Sequence, residues 1–197
     1  MLRPCLHIDL LEAGVDEAGR GCLAGPVCAA AVIFPKGFRN ELLNDSKQVD
    51  PENRYELRQV IEKSALSFGI AMIDNREIDN VNILNATFLA MHKALDALQV
   101  IPQHILVDGN RFLPYRTIPS ECIIKGDESF MSIAAASILA KTYRDDFMVK
   151  LHEKHPEYNW RQNKGYATRE HRKAIMSFGI TPYHRKSFRL YEQLSFF

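Results

Sequence analysis

Apolar positions along the chain come in short unbroken runs and in spaced stripes, and the two patterns predict different elements. Residues 26–34, PVCAAAVIF, form an unbroken run suited to a buried strand, and residues 12–18 read as a strand just before it. Gly19, Gly21, Gly25 and Pro26 force a tight, non-helical connection between the two. Asp50-Pro51 reads as a helix cap and first helical residue. Leu57, Val60, Ile61 and Ser64 follow at helical spacing, which predicts an amphipathic helix from Pro51 to Ser67. Residues 68–74 predict a short strand and residues 82–98 a second helix. A brief strand over 104–107 ends at the turn sequence Asp108-Gly109-Asn110, and 120–125 is a further strand. The longest helix is predicted from Asp127 to about Leu151, with Ile133, Ala136, Ala140, Tyr143, Phe147 and Leu151 along one side. Helical signs resume over 168–178 and over 187–197. Together these elements make a mixed α/β core followed by a small helical subdomain.

Composition changes this picture little. A 197-residue chain with 46% hydrophobic and 25% charged residues suits one soluble globular domain. No uncharged apolar window is long enough to span a membrane, and no signal peptide is expected. Cys5, Cys22, Cys28 and Cys122 form no CxxC pair, so they predict neither a zinc knot nor a disulfide framework. Reduced thiols of this kind suggest a cytoplasmic protein. Charge is uneven. Residues 141–197 hold 12 Lys or Arg against 6 Asp or Glu, and the totals of 25 and 24 leave 13 against 18 for residues 1–140. A carboxylate-rich centre beside a surface that meets a polyanion fits this split, as does a solvated basic tail.

The acids narrow the options. Asp16 and Glu17 lie on the first strand, Asp108 follows the strand ending at Val107, and Asp127 stands where it would cap the long helix. Side chains alternate along a strand, so Asp16 and Glu17 face the same way only if the strand ends or distorts there. Four converging carboxylates repel one another unless cations neutralise them, and oxygen donors suit magnesium or manganese. Two such ions can activate a water and hold the leaving oxygen in phosphodiester cleavage. Spacing alone equally allows a solvated strand-end acid, a turn Asp-Gly and a helix cap.

The motifs VDEAGRG–LAGPV, DSK at 45–47, VDG at 107–109, KGD at 125–127, AAASILAK–RD at 134–145, NKGYAT at 163–168 and HRKSF at 184–188 jointly resemble the bacterial ribonuclease HII family over nearly the whole chain. The resemblance implies a ribonuclease H-like fold, a five-stranded mixed sheet flanked by helices with a C-terminal helical extension. The division expected is a catalytic core over 1–152 and a substrate-binding extension over 153–197. It further implies an endonuclease that hydrolyses the RNA strand of RNA/DNA hybrids. The same enzymes nick 5′ of single ribonucleotides in duplex DNA, leaving 3′-hydroxyl and 5′-phosphate ends. Its four metal-site acids, holding two Mg2+ or Mn2+ ions, correspond to Asp16, Glu17, Asp108 and Asp127. His7 and His92 sit in no pattern that suggests proton transfer.

Recognising one ribonucleotide requires close approach to its 2′-hydroxyl. Gly19-Arg20-Gly21 suits that approach, because two glycines bring backbone groups near a groove without a Cβ while Arg20 holds phosphate. The resemblance gives Gly19, Arg20 and Gly21 this role, and implies that Tyr166 stacks on the next deoxyribose. Ser46, Lys47, Arg144 and Lys164 are phosphate candidates. The final residues, Gln193, Leu194, Ser195, Phe196 and Phe197, resemble sliding-clamp-binding peptides, although Phe196 replaces the usual leucine; packing on the body is the alternative. The resemblance suggests a monomer with no membrane contact. Two other readings stand beside it. One is a divalent-metal DNA nuclease of the same fold without ribose discrimination, and the other is a non-catalytic nucleic-acid binding module.

Overall fold

The unbroken apolar run becomes a strand near the middle of the sheet because both of its faces are covered. The computed structural model describes residues 2–40, 43 and 51–191. Strands β1 (Glu12–Ala18), β2 (Val27–Ile33), β3 (Ser67–Ile73), β4 (His104–Asp108) and β5 (Ser120–Ile123) form one mixed sheet in the order β3-β2-β1-β4-β5. β2 is antiparallel to both β1 and β3, whereas β1, β4 and β5 run parallel. Helix α2 (Asn75–Asp96) covers one face, against Ala13, Val15, Val27, Ala29, Ala31 and Ile33. Helices α1 (Pro51–Ser64) and α3 (Met131–Lys154) cover the other, against Ala18, Cys28, Ala30 and Val32. Alternate residues of β2 thus serve two separate cores, and every one of them is buried.

The small residues of α3 let it lie directly on β1. A Cβ added at Gly14 would collide with the backbone of Ser132 and Ile133, so only glycine permits this approach. Beyond α3 come α4 (Trp160–Asn163) and α5 (Arg169–Phe178), the latter capped by Thr168, whose hydroxyl accepts from the His171 N–H at 3.2 Å. Leu23, Ala24, Met148, Leu151, Tyr158, Trp160, Ala174, Ile175 and Leu190 pack these helices onto the core.

Three expectations change. α2 begins at Asn75 rather than residue 82, because Asp74 caps it by accepting from the Glu77 N–H at 2.8 Å. Asn82 is a break inside that helix (φ 67°, ψ 164°), and its side chain re-caps the second segment by accepting from the N–H groups of Leu84 and Asn85. Asp127 does not cap α3. It lies in a single 3₁₀ turn over Gly126–Glu128, and Phe130 occupies the N-cap position without a side-chain bond. Residues 187–191 form no helix and run as a turn, bends and irregular chain. The expected cap at Asp50, along with Ser46, Lys47 and residues 193–197, lies outside the described residues. No described helix is long and apolar enough to cross a membrane.

Candidate active site

β1 stays regular to Ala18, with Asp16 opposite Ala30 and Glu17 opposite Ala29, so the two acids point to opposite faces. Asp16 turns toward α3, is buried, and hydrogen-bonds with Ser137. Glu17 turns toward the α2 face, where Arg20 pairs with it at 3.0 Å. Asp108 ends the neighbouring parallel strand β4, and its Oδ1 accepts from the Gly126 N–H at 2.7 Å. That bond fixes the turn carrying buried Asp127 beside Asp108. The end of the sheet therefore gathers the four acids expected from sequence.

Their electrostatics are unfavourable as they stand. Burial, and then the charges of Glu17 and Asp108, hold the Asp16 carboxyl well above the usual carboxylate range. Burial also raises Glu17, with the Arg20 bond opposing the shift. The oxygen-only donor set, and the mutual repulsion that raises Asp16, fit a hard divalent ion.

The connection from Gly19 to Pro26 is held from beneath by two buried arginines. Arg185 donates to the carbonyls of Gly25 (3.0 Å), Arg20 (2.8 Å) and Gly19 (2.7 Å). Arg144 donates to those of Pro26 (2.9 Å), Lys164 (2.8 Å) and Ala24 (3.1 Å). The expectation that Arg144 contacts phosphate is therefore corrected. Its side chain has no exposure, and each guanidinium nitrogen already serves a backbone carbonyl. Arg185 was missed as a site residue, although it lies in the HRKSF segment. Gly19 needs its glycine twice over, for φ of 91° and because a Cβ would strike the Arg144 guanidinium. Gly21 is exposed, and a Cβ there would meet nothing.

Tyr166 reaches the same rim. It forms an isolated bridge with Cys22, while the Leu23 N–H donates to the Gly165 carbonyl at 2.7 Å. Its ring lines a cleft with Glu17, Gly19, Ser137 and Lys141. Lys164 is half-buried, its ammonium turned to the Arg161 carbonyl, and burial lowers its pKa. Lys141 and Ser137 were not singled out from sequence, though both lie within or beside the AAASILAK segment.

Behind Tyr166 a neutral histidine pair holds the C-terminal elements. His171 Nδ1 donates to the Tyr166 carbonyl at 2.9 Å, and its Nε2 accepts from the Trp160 N–H at 3.0 Å and faces His184 Nε2 at 3.2 Å. His184 Nδ1 accepts from the Thr181 N–H at 2.9 Å, which leaves the proton on its Nε2, facing the His171 nitrogen that Trp160 also serves. Burial, then the nearby His171, lowers the His184 pKa to about 4 from 6.5. The unfolded chain takes up this proton more readily than the fold. Stability contributed by His184 is therefore fully present above pH 6.5 and is lost as pH falls toward 4. Urea unfolding across that interval should show a flatter dependence on pH in His184→Gln than in the parent, and parallel curves would contradict the assignment.

A second cluster stands at the other end of β1 and β4. His7, Glu12 and His104 each bring a ligand atom within 4.8 Å of the others, a donor set that divalent metals take. Among the described residues it is the only group of three or more His, Cys, Asp or Glu drawn so close.

A ribonuclease H-like fold is what this sheet order defines, with its acids at the ends of β1 and β4 and just past β5. The chain belongs to the ribonuclease HII family, whose model matches residues 13–191. Ribonuclease HII of Bacteroides thetaiotaomicron is 62% identical over 190 residues, covering 96% of this chain and 95% of that protein. The Christiangramia forsetii protein of the same name is 64% identical over 184 residues, covering 93% of each. Among solved structures, ribonuclease H2 from Pyrococcus horikoshii superposes with a TM-score of 0.77 at 25% identity, covering 91% of this chain and 94% of that one. The RNase HII of Archaeoglobus fulgidus, solved as a complex with PCNA, also gives 0.77, at 26% identity and covering 93% and 98%.

Proposed function

We propose that the chain is an endonuclease that hydrolyses the RNA strand of RNA/DNA hybrids and nicks 5′ of single ribonucleotides in duplex DNA, leaving 3′-hydroxyl and 5′-phosphate ends. The observation that carries this reading is two features on one rim. Carboxylates gather at Asp16, Glu17 and Asp108, and a glycine loop held by buried arginines stands beside Tyr166. Acids alone fit a DNA nuclease blind to ribose, and the loop alone fits a binding module.

In this reading Asp16, Glu17, Asp108 and Asp127 hold two magnesium or manganese ions. When bound, these ions supply an activated water and charge to stabilise the departing 3′ oxygen. The protein's own groups set the geometry. Ser137 orients Asp16, the Gly126 N–H orients Asp108, and Arg20 holds Glu17. The backbone at Gly19–Gly21 contacts the 2′-hydroxyl, and the Tyr166 ring stacks on the following deoxyribose, favouring an RNA-to-DNA junction. Lys164, Ser46 and Lys47 stand as phosphate contacts. Cleavage of the labelled RNA strand of a hybrid with magnesium, and its loss in chelator, tests the reading; cleavage that persists in chelator would overturn it.

Gly21 separates recognition from folding. Because a methyl group there meets open space, Gly21→Ala should melt like the parent yet cut an embedded ribonucleotide at least about tenfold more slowly, the equivalent of one lost hydrogen bond to the substrate. Equal rates would remove this segment from the substrate contact.

The tail reading is a weaker companion. RNase HII of Archaeoglobus fulgidus forms a complex with PCNA, and residues 193–197 of this chain supply a clamp-type peptide. Purified sliding clamp should bind the full chain more tightly than a chain ending at residue 192; equal affinity would sink the idea. All four cysteines stand as free thiols, which supports placing the protein in the cytoplasm.

A further inference from the structure

The parallel pairing of β1 with β4 sets Glu12 directly opposite His104, and the chain before β1 folds back so that His7 reaches the same point. Glu12 is almost wholly buried, and its carboxylate accepts from the N–H groups of Leu6 and His7, both at 2.8 Å. His7 Nδ1 lies 3.0 Å from Glu12 Oε1, and His104 Nδ1 lies 3.8 Å from the same oxygen. Glu121 on β5 closes the outer side, its Oε1 lying 3.4 Å from His104 Nε2 and 3.9 Å from His7 Nε2.

Two observations point to a ligand. His104 is only 5% exposed, and its buried Nδ1 has no hydrogen-bond partner among the described residues. A buried imidazole nitrogen without a partner is uncommon and calls for a physical reason. The spacings supply one. A tetrahedral ion with ligand bonds of about 2.0–2.1 Å separates its ligand atoms by about 3.3 Å. The two Nδ1 atoms lie 3.0 and 3.8 Å from Glu12 Oε1, on either side of that edge.

We propose that His7, Glu12 and His104 bind a borderline divalent transition metal of the zinc type. Mixed imidazole and carboxylate donors select such ions over magnesium, which takes oxygen and keeps its waters. The site is separate from the acids of the cleft. Glu12 and Asp16 are four residues apart on one strand, about 13 Å. A metal here joins the N-terminal segment, β1 and β4, so it acts as a fastening for that end of the sheet. Binding to the fold and not to the unfolded chain raises stability by mass action.

The test uses the full chain stripped with chelator. Zinc is followed by calorimetry, cobalt by visible absorption, and melting temperature with and without zinc. With magnesium in excess to occupy the acids of the cleft, the expected result is one zinc per chain, a cobalt spectrum with nitrogen ligation and a higher melting temperature. His104→Gln and His7→Gln should each weaken zinc binding by about tenfold or more, whereas Asp108→Asn should leave it unchanged. Because His7 is exposed, its variant keeps the test valid should His104→Gln fail to fold. Zinc uptake that ignores both histidines, follows Asp108, or fails to occur would overturn the proposal. Cleavage activity does not enter the readout, so the outcome is independent of the nuclease reading.

Discussion

Asp16→Asn should abolish cleavage while making the metal-free protein more stable at neutral pH. The two effects share one cause. Asp16 is buried beside Glu17 and Asp108, and burial together with their charges makes it hold its carboxyl proton more tightly in the fold than in the unfolded chain. A raised carboxyl pKa means that the native state binds more protons above pH 3.8, so stability falls as pH rises through that interval toward the raised value. Asparagine keeps the shape and removes the charge. Melting temperature at pH 7 without divalent ions should rise by about 2–4 °C for each kcal/mol of relieved strain. Magnesium should narrow the gap by stabilising the parent alone. Activity should fall by about 10³-fold or more, because charge stabilisation by a bound ion is worth several kcal/mol. A variant that is inactive but less stable at every metal concentration would point to a structural role instead.

Replacing Arg185 should damage the recognition loop more than the acids. Its guanidinium serves the carbonyls of Gly19, Arg20 and Gly25 while fully buried, and burial lowers its pKa to about 10. Arg185→Met removes the donor to the carbonyls of Gly19, Arg20 and Gly25, two of those bonds being buried, which should cost about 2 kcal/mol or more in urea unfolding. Arg185→Lys keeps a charge but cannot supply the fork, and should restore only part of the loss. Should Arg185→Met fail to fold, the lysine variant carries the functional test. There KM for a ribonucleotide-containing duplex should rise and the preference over all-RNA hybrid should fall, while kcat changes less. An unaltered preference in a folded variant would confine Arg185 to stability.

Much of this architecture was readable in the residues. The run at β2 is unbroken because two helical layers cover it, and the acids lie in motifs that resemble one family. The misreadings have physical causes. Asp74 with Glu77 is a capping-box pattern, but it directly follows a strand, and Asn82 supplied a second cap within the same helix. Arg144 reads as a surface cation on a helix; its burial depends on carbonyls of residues 24, 26 and 164, which only the tertiary fold assembles. The opposite facing of Asp16 and Glu17 follows from β1 remaining regular, which the flanking glycines left open. His7, Glu12 and His104 share no local pattern, since strand register rather than sequence spacing brings them together.

The central claim is that one rim both senses ribose and cuts beside it. The most direct test is a labelled DNA duplex holding a single ribonucleotide, run beside its all-DNA control with magnesium, manganese or chelator, with the cut mapped to the nucleotide. A single metal-dependent nick on the 5′ side of the ribonucleotide, absent from the control, is the predicted result. Equal cutting of both duplexes, or binding without any cut, would contradict it.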